Sequence, residues 1–321
     1  LDCLGKDGRV HGCLMYHGAS TGRWSGRHVN PQNLPRPTID DVDACIEEMK
    51  AQDPTAISGE PMEALASCLR GMLIASDDHR LIVSDYASIE ARALAWLADH
   101  ADVLQTFRDG KDIYKATASG MFNVPYDQID YDQRFVGKVA TLALGYQGGV
   151  RAFQKMSEAY GTEVSEVQAL KIRNDWRDAN APIVQLWVDV EKAARNAISY
   201  TGQAYDAAKG TFRVVGGDLL FKLPSGRILS FPEASLTQGE RLMEIKYKGM
   251  NNHTHRWGEI KAYGGSLVQS ITQAVARDIL AEAILRLEAA DYPVVLHVHD
   301  EIVGDVPNDF GSLEEFERLM C

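Results

Sequence analysis

Two short apolar runs, far apart in the 321-residue chain, constrain its fold more than any other feature. Leu81-Ile-Val-Ser-Asp-Tyr86 is rich in β-formers and ends near Asp85. Ser88 and a helical pattern through Ile89, Ala93, Leu94, Trp96 and Leu97 follow, so this run reads as strand, turn, helix. The second run, Val294–Val298, meets Ile302–Val306 across a polar His299-Asp300-Glu301 and reads as a tight hairpin. Between them, from about 100 to 200, the periodicity is almost wholly helical, including 133–144 and 165–200 with a break at Asn180-Ala-Pro182. Residues 211–247 alternate, with a hairpin pattern of Asp218–Leu223 and Arg227–Phe231 around Pro224-Ser-Gly. A helix is expected from about Ser266 to Ala289. Strands outside and helices inside define a sheet-bearing base interrupted by a helical insertion, an α+β plan.

Upstream, residues 1–35 suggest short strand pairs with a polar tail, and 39–75 suggest helices broken near Asp53-Pro54 and Gly59-Glu60-Pro61. Asp41-Val-Asp43 fits a helix start better than a catalytic pair. A content of 45% hydrophobic and 24% charged residues excludes disorder and small disulfide scaffolds. The net charge of -12 excludes a wholly basic coat protein. It leaves room for a local basic groove, for which Arg23, Arg27, Arg36, Arg134, Lys138, Arg151 and Lys155 are candidates. Cys3, Cys13, Cys45, Cys68 and Cys321 are irregularly spaced without C-x-x-C, so reduced thiols and a cytoplasmic setting are expected. No apolar run approaches the roughly 18 residues of a membrane span. A first residue other than Met and a last segment that stops inside a helical pattern both read as cuts.

Asp85, Asp300 and Glu301 are the first candidates for chemistry. A carboxylate at the end of an apolar strand, or at a hairpin tip between two of them, is costly unless paired. Asp85 alone also suits a helix N-terminus, and His299-Asp300-Glu301 alone suits ordinary turn chemistry. Asp-Glu is nevertheless a poor two-residue hairpin loop. If the acids converge, a divalent cation is the natural neutraliser, and oxygen-only ligation points to Mg²⁺.

The second candidate is a stripe. On a helix, Arg134, Lys138, Leu142 and Tyr146 recur every four residues, while Phe135, Val139, Ala140 and Ala143 form the opposite, core face. The stripe reads either as solvated charges beside a wet-edged aromatic or as a nucleotide site. Cations at one end and a flat ring at the other match a triphosphate and a base.

Together these pieces resemble motifs A, B and C of family A DNA polymerases, the bacterial DNA polymerase I and phage replicative group. Asp85-Tyr-Ala-Ser-Ile-Glu90-Ala-Arg92 resembles motif A. Arg134-x-x-x-Lys138-x-x-x-Leu142-x-x-x-Tyr146 resembles motif B, and His297-Val-His-Asp300-Glu301 resembles motif C. Thr21-Gly-Arg23-Trp-Ser25 and Asn30-Pro-Gln32-Asn33-Leu-Pro resemble the family's palm segment at the primer–template duplex. Gln269 to Asp278 resembles the helix before motif C. Leu223-Pro-Ser-Gly-Arg-x-Leu and Tyr263-Gly-Gly lean towards the phage branch, whose setting is a bacterial host's cytoplasm.

The resemblance implies a polymerase palm, an antiparallel sheet with helices, plus a helical fingers insertion. Residues 1–100 and 263–321 would be palm and 101–262 fingers, with the palm cut short at the C-terminus and neither thumb nor exonuclease present. It further implies two Mg²⁺ ions on Asp85, Asp300 and the Tyr86 backbone oxygen, with Glu301 a secondary carboxylate. Arg134 and Lys138 would grip the triphosphate, Lys138 also giving the leaving group a proton. Leu142 would face the sugar, and Tyr146 would lie near the template and hydrogen-bond Glu90, the gate against ribose. Arg23, Asn30, Gln32, Gln269, Gln273 and His299 would touch DNA, with Arg23 and Gln273 reading minor-groove acceptors that nearly every base pair shares. The partners implied are primer–template DNA, deoxyribonucleoside triphosphates and a possible processivity factor, without a membrane. Leu142 stands where relatives often carry an aromatic, His297 where Gln is common, and Gln147 where Gly is frequent. A single-subunit RNA polymerase relative and an inactive DNA-binding module are the competing expectations.

Overall fold

The computed structural model describes residues 4–50, 60–239, 243–251, 254 and 256–321. The expected breaks at Asp53-Pro54 and Gly59 lie outside the described residues. Along the chain, β1 (Leu14–Met15) pairs antiparallel with β2 (Ser25–Gly26), and α1 (Val42–Lys50) and α2 (Pro61–Cys68) follow. The α1 start is capped by Asp41, whose Oδ1 accepts from the Ala44 N–H at 2.9 Å. Next come β3 (His79–Asp85), α3 (Ile89–Leu97), α4 (Ala101–Arg108), α5 (Ile113–Phe122), α6 (Tyr131–Leu144) and α7 (Val150–Ala159). Then α8 (Glu166–Ala179) and α9 (Ala181–Ser199) meet at Asn180, where Pro182 suits a helix start.

Strands β4 (Ala204–Ala207), β5 (Gly210–Val215), β6 (Asp218–Lys222) and β7 (Ile228–Phe231) form a four-stranded antiparallel sheet in sequence order. Strands β8 (Ser235–Gln238), β9 (Met243–Met250) and β10 (Trp257–Ala262) form a three-stranded one with β9 central. The chain closes with α10 (Gly264–Ala289), β11 (Val294–Val298), β12 (Glu301–Pro307) and α11 (Leu313–Met320). Among the described residues no helix is long and apolar enough to cross a membrane. Among the described residues, Cys13, Cys45, Cys68 and Cys321 form no disulfide.

The chain divides into two compact units: Leu1–Ala87 with Arg277–Cys321, and Ser88–Ala276. These cuts fall at other residues than 100/101 and 262/263. The first, discontinuous unit is built on an antiparallel sheet in the order β11-β12-β3. Ile82, Ile302 and Val306 point from this sheet into a core with Leu280, Ala283 and Leu287 of α10, Tyr292, and Phe316 and Met320 of α11. Strand alternation selects that face.

The second unit is the helical insertion with its two sheets. Val139, Ala140 and Leu144 of α6 are fully buried there, with Phe135 and Ala143 packed beside them, so the expected core face is present. A capping box starts α6: Asp130 accepts from the Gln133 backbone, and Gln133 accepts in return from the Asp130 N–H. Gly137 lets α6 lie against α5, since a Cβ there would sit 2.2 Å from the Tyr114 carbonyl oxygen. Trp176 and Trp187 stack with ring centres 6.1 Å apart at the junction of α8 and α9.

Candidate active site

Backbone register brings the acids of the discontinuous unit together. Val298 pairs with Glu301, so the two-residue loop is His299-Asp300 and Glu301 opens β12. The expected tip of Asp300 and Glu301 is therefore displaced by one residue. His299 makes the turn possible by adopting a left-handed φ of 56°. On its other edge β12 pairs with β3, setting Glu301 opposite Asp85, and the Tyr86 N–H donates to the Asp300 carbonyl at 3.1 Å. Asp85, Tyr86, Asp300 and Glu301 thus share one corner of the sheet.

The electrostatics there is unfavourable in the bare protein. Burial, with the Asp85 charge adding to it, pushes the Asp300 carboxyl above its ordinary range, although His299 and Arg23 pull the other way. Burial likewise raises Glu301, helped by Asp85 and Asp300 and opposed by Arg70 and Arg36. Like charges directly opposite on neighbouring strands repel. Asp85 itself is exposed, not enclosed by apolar neighbours as expected. It shares a strand face with Val83, 44% exposed, on edge strand β3, while Ile82 fills the core on the opposite face.

Among the described residues, no three or more His, Cys, Asp or Glu side chains form a ready ligand cluster. A cation here would rest on two carboxylates, main-chain oxygen and oxygens brought by a ligand. Mg²⁺ takes that coordination readily, keeping waters and phosphate oxygens in its shell. Raised carboxyl groups in a crowded corner fit such a cation.

Around this corner the structure shows contacts that the sequence alone did not place. His297, 7% exposed, meets the Trp24 ring edge-on with centres 4.5 Å apart. The Arg277 guanidinium lies 4.5 Å over the same ring, and its Nε donates to the Gly22 carbonyl at 2.9 Å. Burial, then the Arg277 and His299 charges, pull the His297 pKa down to about 4, so its imidazole is neutral near pH 7. This packing fixes the turn that carries Arg23. Asn30 has a local duty, its Oδ1 accepting from the Gln32 N–H at 3.2 Å to cap a 3₁₀ turn, and His299 is exposed.

In the helical unit the stripe lies along α6 and continues to Tyr146 just beyond it, with its polar members already engaged. Arg134 Nε donates to Asp112 Oδ2 at 2.6 Å. The Lys138 ammonium sits 4.7 Å from the Tyr160 ring centre. Leu142 is 44% exposed. The Tyr146 hydroxyl donates to Glu90 Oε2 at 3.0 Å, the expected bond, joining the end of the stripe to α3. The Arg92 guanidinium lies 4.5 Å over the Phe107 ring. Gln269 and Gln273 lie one turn apart on α10, the first exposed and the second partly buried. Asp112 and Tyr160 escaped the sequence reading because helix packing alone brings them to the stripe.

This architecture is that of a polymerase domain. Over 99% of this chain and 45% of the other, it matches the "POL domain of Pol1 from M. smegmatis complex with DNA primer-template and dNTP" with a TM-score of 0.65 at 20% identity. The chain belongs to DNA polymerase family A, whose family model matches residues 2–204. It is 40% identical over 325 residues to a DNA polymerase of Bacillus phage SP02, covering 99% of this chain and 50% of that protein. It is 28% identical to the thermostable DNA polymerase I of Thermus aquaticus, covering 95% of this chain and 29% of that protein. The DNA polymerase I of Pseudomonas aeruginosa is 26% identical over 95% of this chain and 26% of its own length. The chain therefore spans half or less of these curated relatives.

Proposed function

We propose that the protein is a DNA-directed DNA polymerase of phage replication, adding deoxyribonucleotides to a primer 3′-hydroxyl by two-metal nucleotidyl transfer in a bacterial host's cytoplasm. The observation that carries this reading is the register of Glu301 opposite Asp85 with Asp300 in the adjoining loop. Family membership and the phage relative support it. The discontinuous unit then serves as palm and the continuous one as fingers.

Asp85, Asp300 and the Tyr86 main-chain oxygen hold the metals, and Glu301 stands beside them as a second carboxylate. Two Mg²⁺ ions bound there supply Lewis acidity for the attacking hydroxyl and the departing pyrophosphate. Arg134 exchanges Asp112 for phosphate oxygens. Lys138 leaves the Tyr160 ring face, steadies the charge and gives a proton to the leaving pyrophosphate. Leu142 packs on the sugar. Glu90, held by Tyr146, fills the volume a ribose 2′-hydroxyl needs. Arg23 and Gln273 accept any correct pair by donating to minor-groove acceptors, with Asn30, Gln32, Gln269 and His299 along the duplex.

Mg²⁺-dependent primer extension tests the proposal. Extension with deoxyribonucleotides, lost in Asp85→Ala and in Asp300→Ala, is the expected result. Duplex binding without extension would instead mark an inactive binding module, and a preference for ribonucleotides would mark an RNA polymerase.

A further inference from the structure

Gln147, the residue after Tyr146, is backbone-strained and its side chain is committed elsewhere. Its φ is 64°, in the left-handed region that residues with long side chains seldom adopt. Its Oε1 accepts from the Gly265 N–H at 2.8 Å. Gly265 is the second residue of α10, where the first backbone donors have no partner within the helix. The α10 first turn contains no acidic residue of its own. Side chains from elsewhere in the unit take its donors: Gln147 that of Gly265, and Glu191 of α9 that of Gly264, at 2.9 Å.

The approach is close. A Cβ on Gly265 would lie 2.3 Å from the Tyr146 carbonyl oxygen and 2.5 Å from Gln147 Cβ, so a side chain there would force the two segments apart. On the other flank the Trp187 indole donates to the Gly145 carbonyl at 3.0 Å. The backbone of 145–147 is therefore pinned between α9 and the start of α10. Tyr146 is the middle residue, and its hydroxyl reaches Glu90 Oε2. A strained conformation persists where its surroundings over-determine it, and here they do so beside the aromatic end of the stripe.

We infer that Gln147 is a positioning residue for sugar selection. By latching the first turn of α10 it fixes the Tyr146 main chain, and so the hydroxyl that aims the Glu90 carboxylate. This rests on Glu90 being the ribose gate of the proposed polymerase. It also gives the Tyr263-Gly264-Gly265 motif a purpose, because glycine at 265 admits the latch.

The test measures deoxyribo- against ribonucleotide incorporation, as a ratio of kcat/KM, in the intact protein and four variants. Glu90→Ala tests the gate alone. Gln147→Gly removes the latch and also relieves the strained backbone, whereas Gln147→Ala removes the latch and keeps the strain. Gln147→Glu retains an acceptor oxygen facing a helix N-terminus, where a negative charge is welcome. Selectivity should fall roughly three- to tenfold in both Gln147→Gly and Gln147→Ala, the share of one neutral hydrogen bond. It should stay within about twofold of the parent in Gln147→Glu. Hydrogen exchange at the Gly265 amide should quicken in the Gly and Ala variants alone, a readout independent of activity. If Gly265 exchange quickens while selectivity holds in Gln147→Gly, or if exchange does not change, the inference is overturned. If Glu90→Ala leaves sugar choice intact, the gate reading fails first and the inference falls with it.

Discussion

The acidic corner of the discontinuous unit and the α6 stripe of the helical unit are organised in opposite ways. Asp85, Asp300 and Glu301 are placed by the backbone, through strand pairing and a two-residue loop, and burial disfavours the charges of Asp300 and Glu301. Arg134, Lys138 and Tyr146 sit on or just beyond a helix, and each is satisfied internally, by Asp112, the Tyr160 ring and Glu90. One place is held by strand pairing and carries disfavoured charge; the other has its polar groups already partnered. On the proposed reading a metal ion would relieve the first, so that binding there would release the repulsion that burial and Asp85 impose on Asp300 and Glu301. On the same reading a nucleotide would have to compete with existing contacts in the second, which would favour discrimination over raw affinity.

The sharpest way to break this contrast is to remove an acid. Asp85→Ala or Asp300→Ala should lower primer extension by about 10³-fold or more, because on the proposed mechanism each would remove a ligand from a charge-stabilising centre. Stability should move the other way. Asp300→Asn removes a carboxylate that burial and Asp85 disfavour, so Tm in metal-free buffer should rise. Added Mg²⁺ should raise the Tm of the parent protein and leave that of the variant nearly unchanged, through binding linkage. A parent Tm indifferent to Mg²⁺ would mean that the corner is not a cation site.

What could be read beforehand follows the same division. The acids were legible because strand periodicity and apolar flanks locate Asp85 and the hairpin without any tertiary knowledge. The place of Glu301 was not, since the loop register depends on His299 adopting a left-handed conformation that nothing in its neighbours demands. The exposure of Asp85 also escaped, because edge and central strands look alike in sequence. The α6 stripe and its core face were legible from a four-residue repeat, while the capping box that starts the helix was not read beforehand. Its partners Asp112 and Tyr160 were not, for they arrive through the packing of separate helices. Strands β9 and β10 were only half foreseen: the Lys and Glu residues on their outer face mask the Ile245, Tyr247 and Ala262 positions that meet the core.

His297 sharpens the contrast on the side of the acids, because it is a buried base beside them. Its folded pKa of about 4 lies below the ordinary 6.5, so between those values the unfolded chain binds a proton that the folded chain refuses. Stability should therefore fall as pH drops from about 6.5 to about 4, by something on the order of 2–3 kcal/mol. Asp300 and Glu301 have the opposite sign: their raised values make the folded chain the better proton acceptor, so their contribution grows as pH falls. The difference between the parent and His297→Gln isolates the imidazole. As pH falls from about 6.5 to about 4 the urea midpoint of the parent should drop further than that of His297→Gln, and parallel curves would refute the assignment.

The smallest effect probes the stripe. Burial disfavours the Asp112 carboxylate, but Arg134 and the two backbone amides at the α5 start outweigh it and hold its pKa below the ordinary carboxylate range. Asp112→Asn keeps a cap for the Tyr114 and Lys115 N–H groups, since Asn caps as well as Asp. What is lost is the charge opposing Arg134, in a pair whose side chains are 36% and 29% exposed and which is worth about 0.2–1 kcal/mol. If Asp112 competes with the triphosphate, KM for deoxyribonucleotides should fall by up to about fivefold with kcat unchanged, and more at low salt than at high. A rise in KM would show that Asp112 aims Arg134 at its ligand instead of holding it back. The stripe would then be preorganised like the acids, and the contrast between the two sites would close.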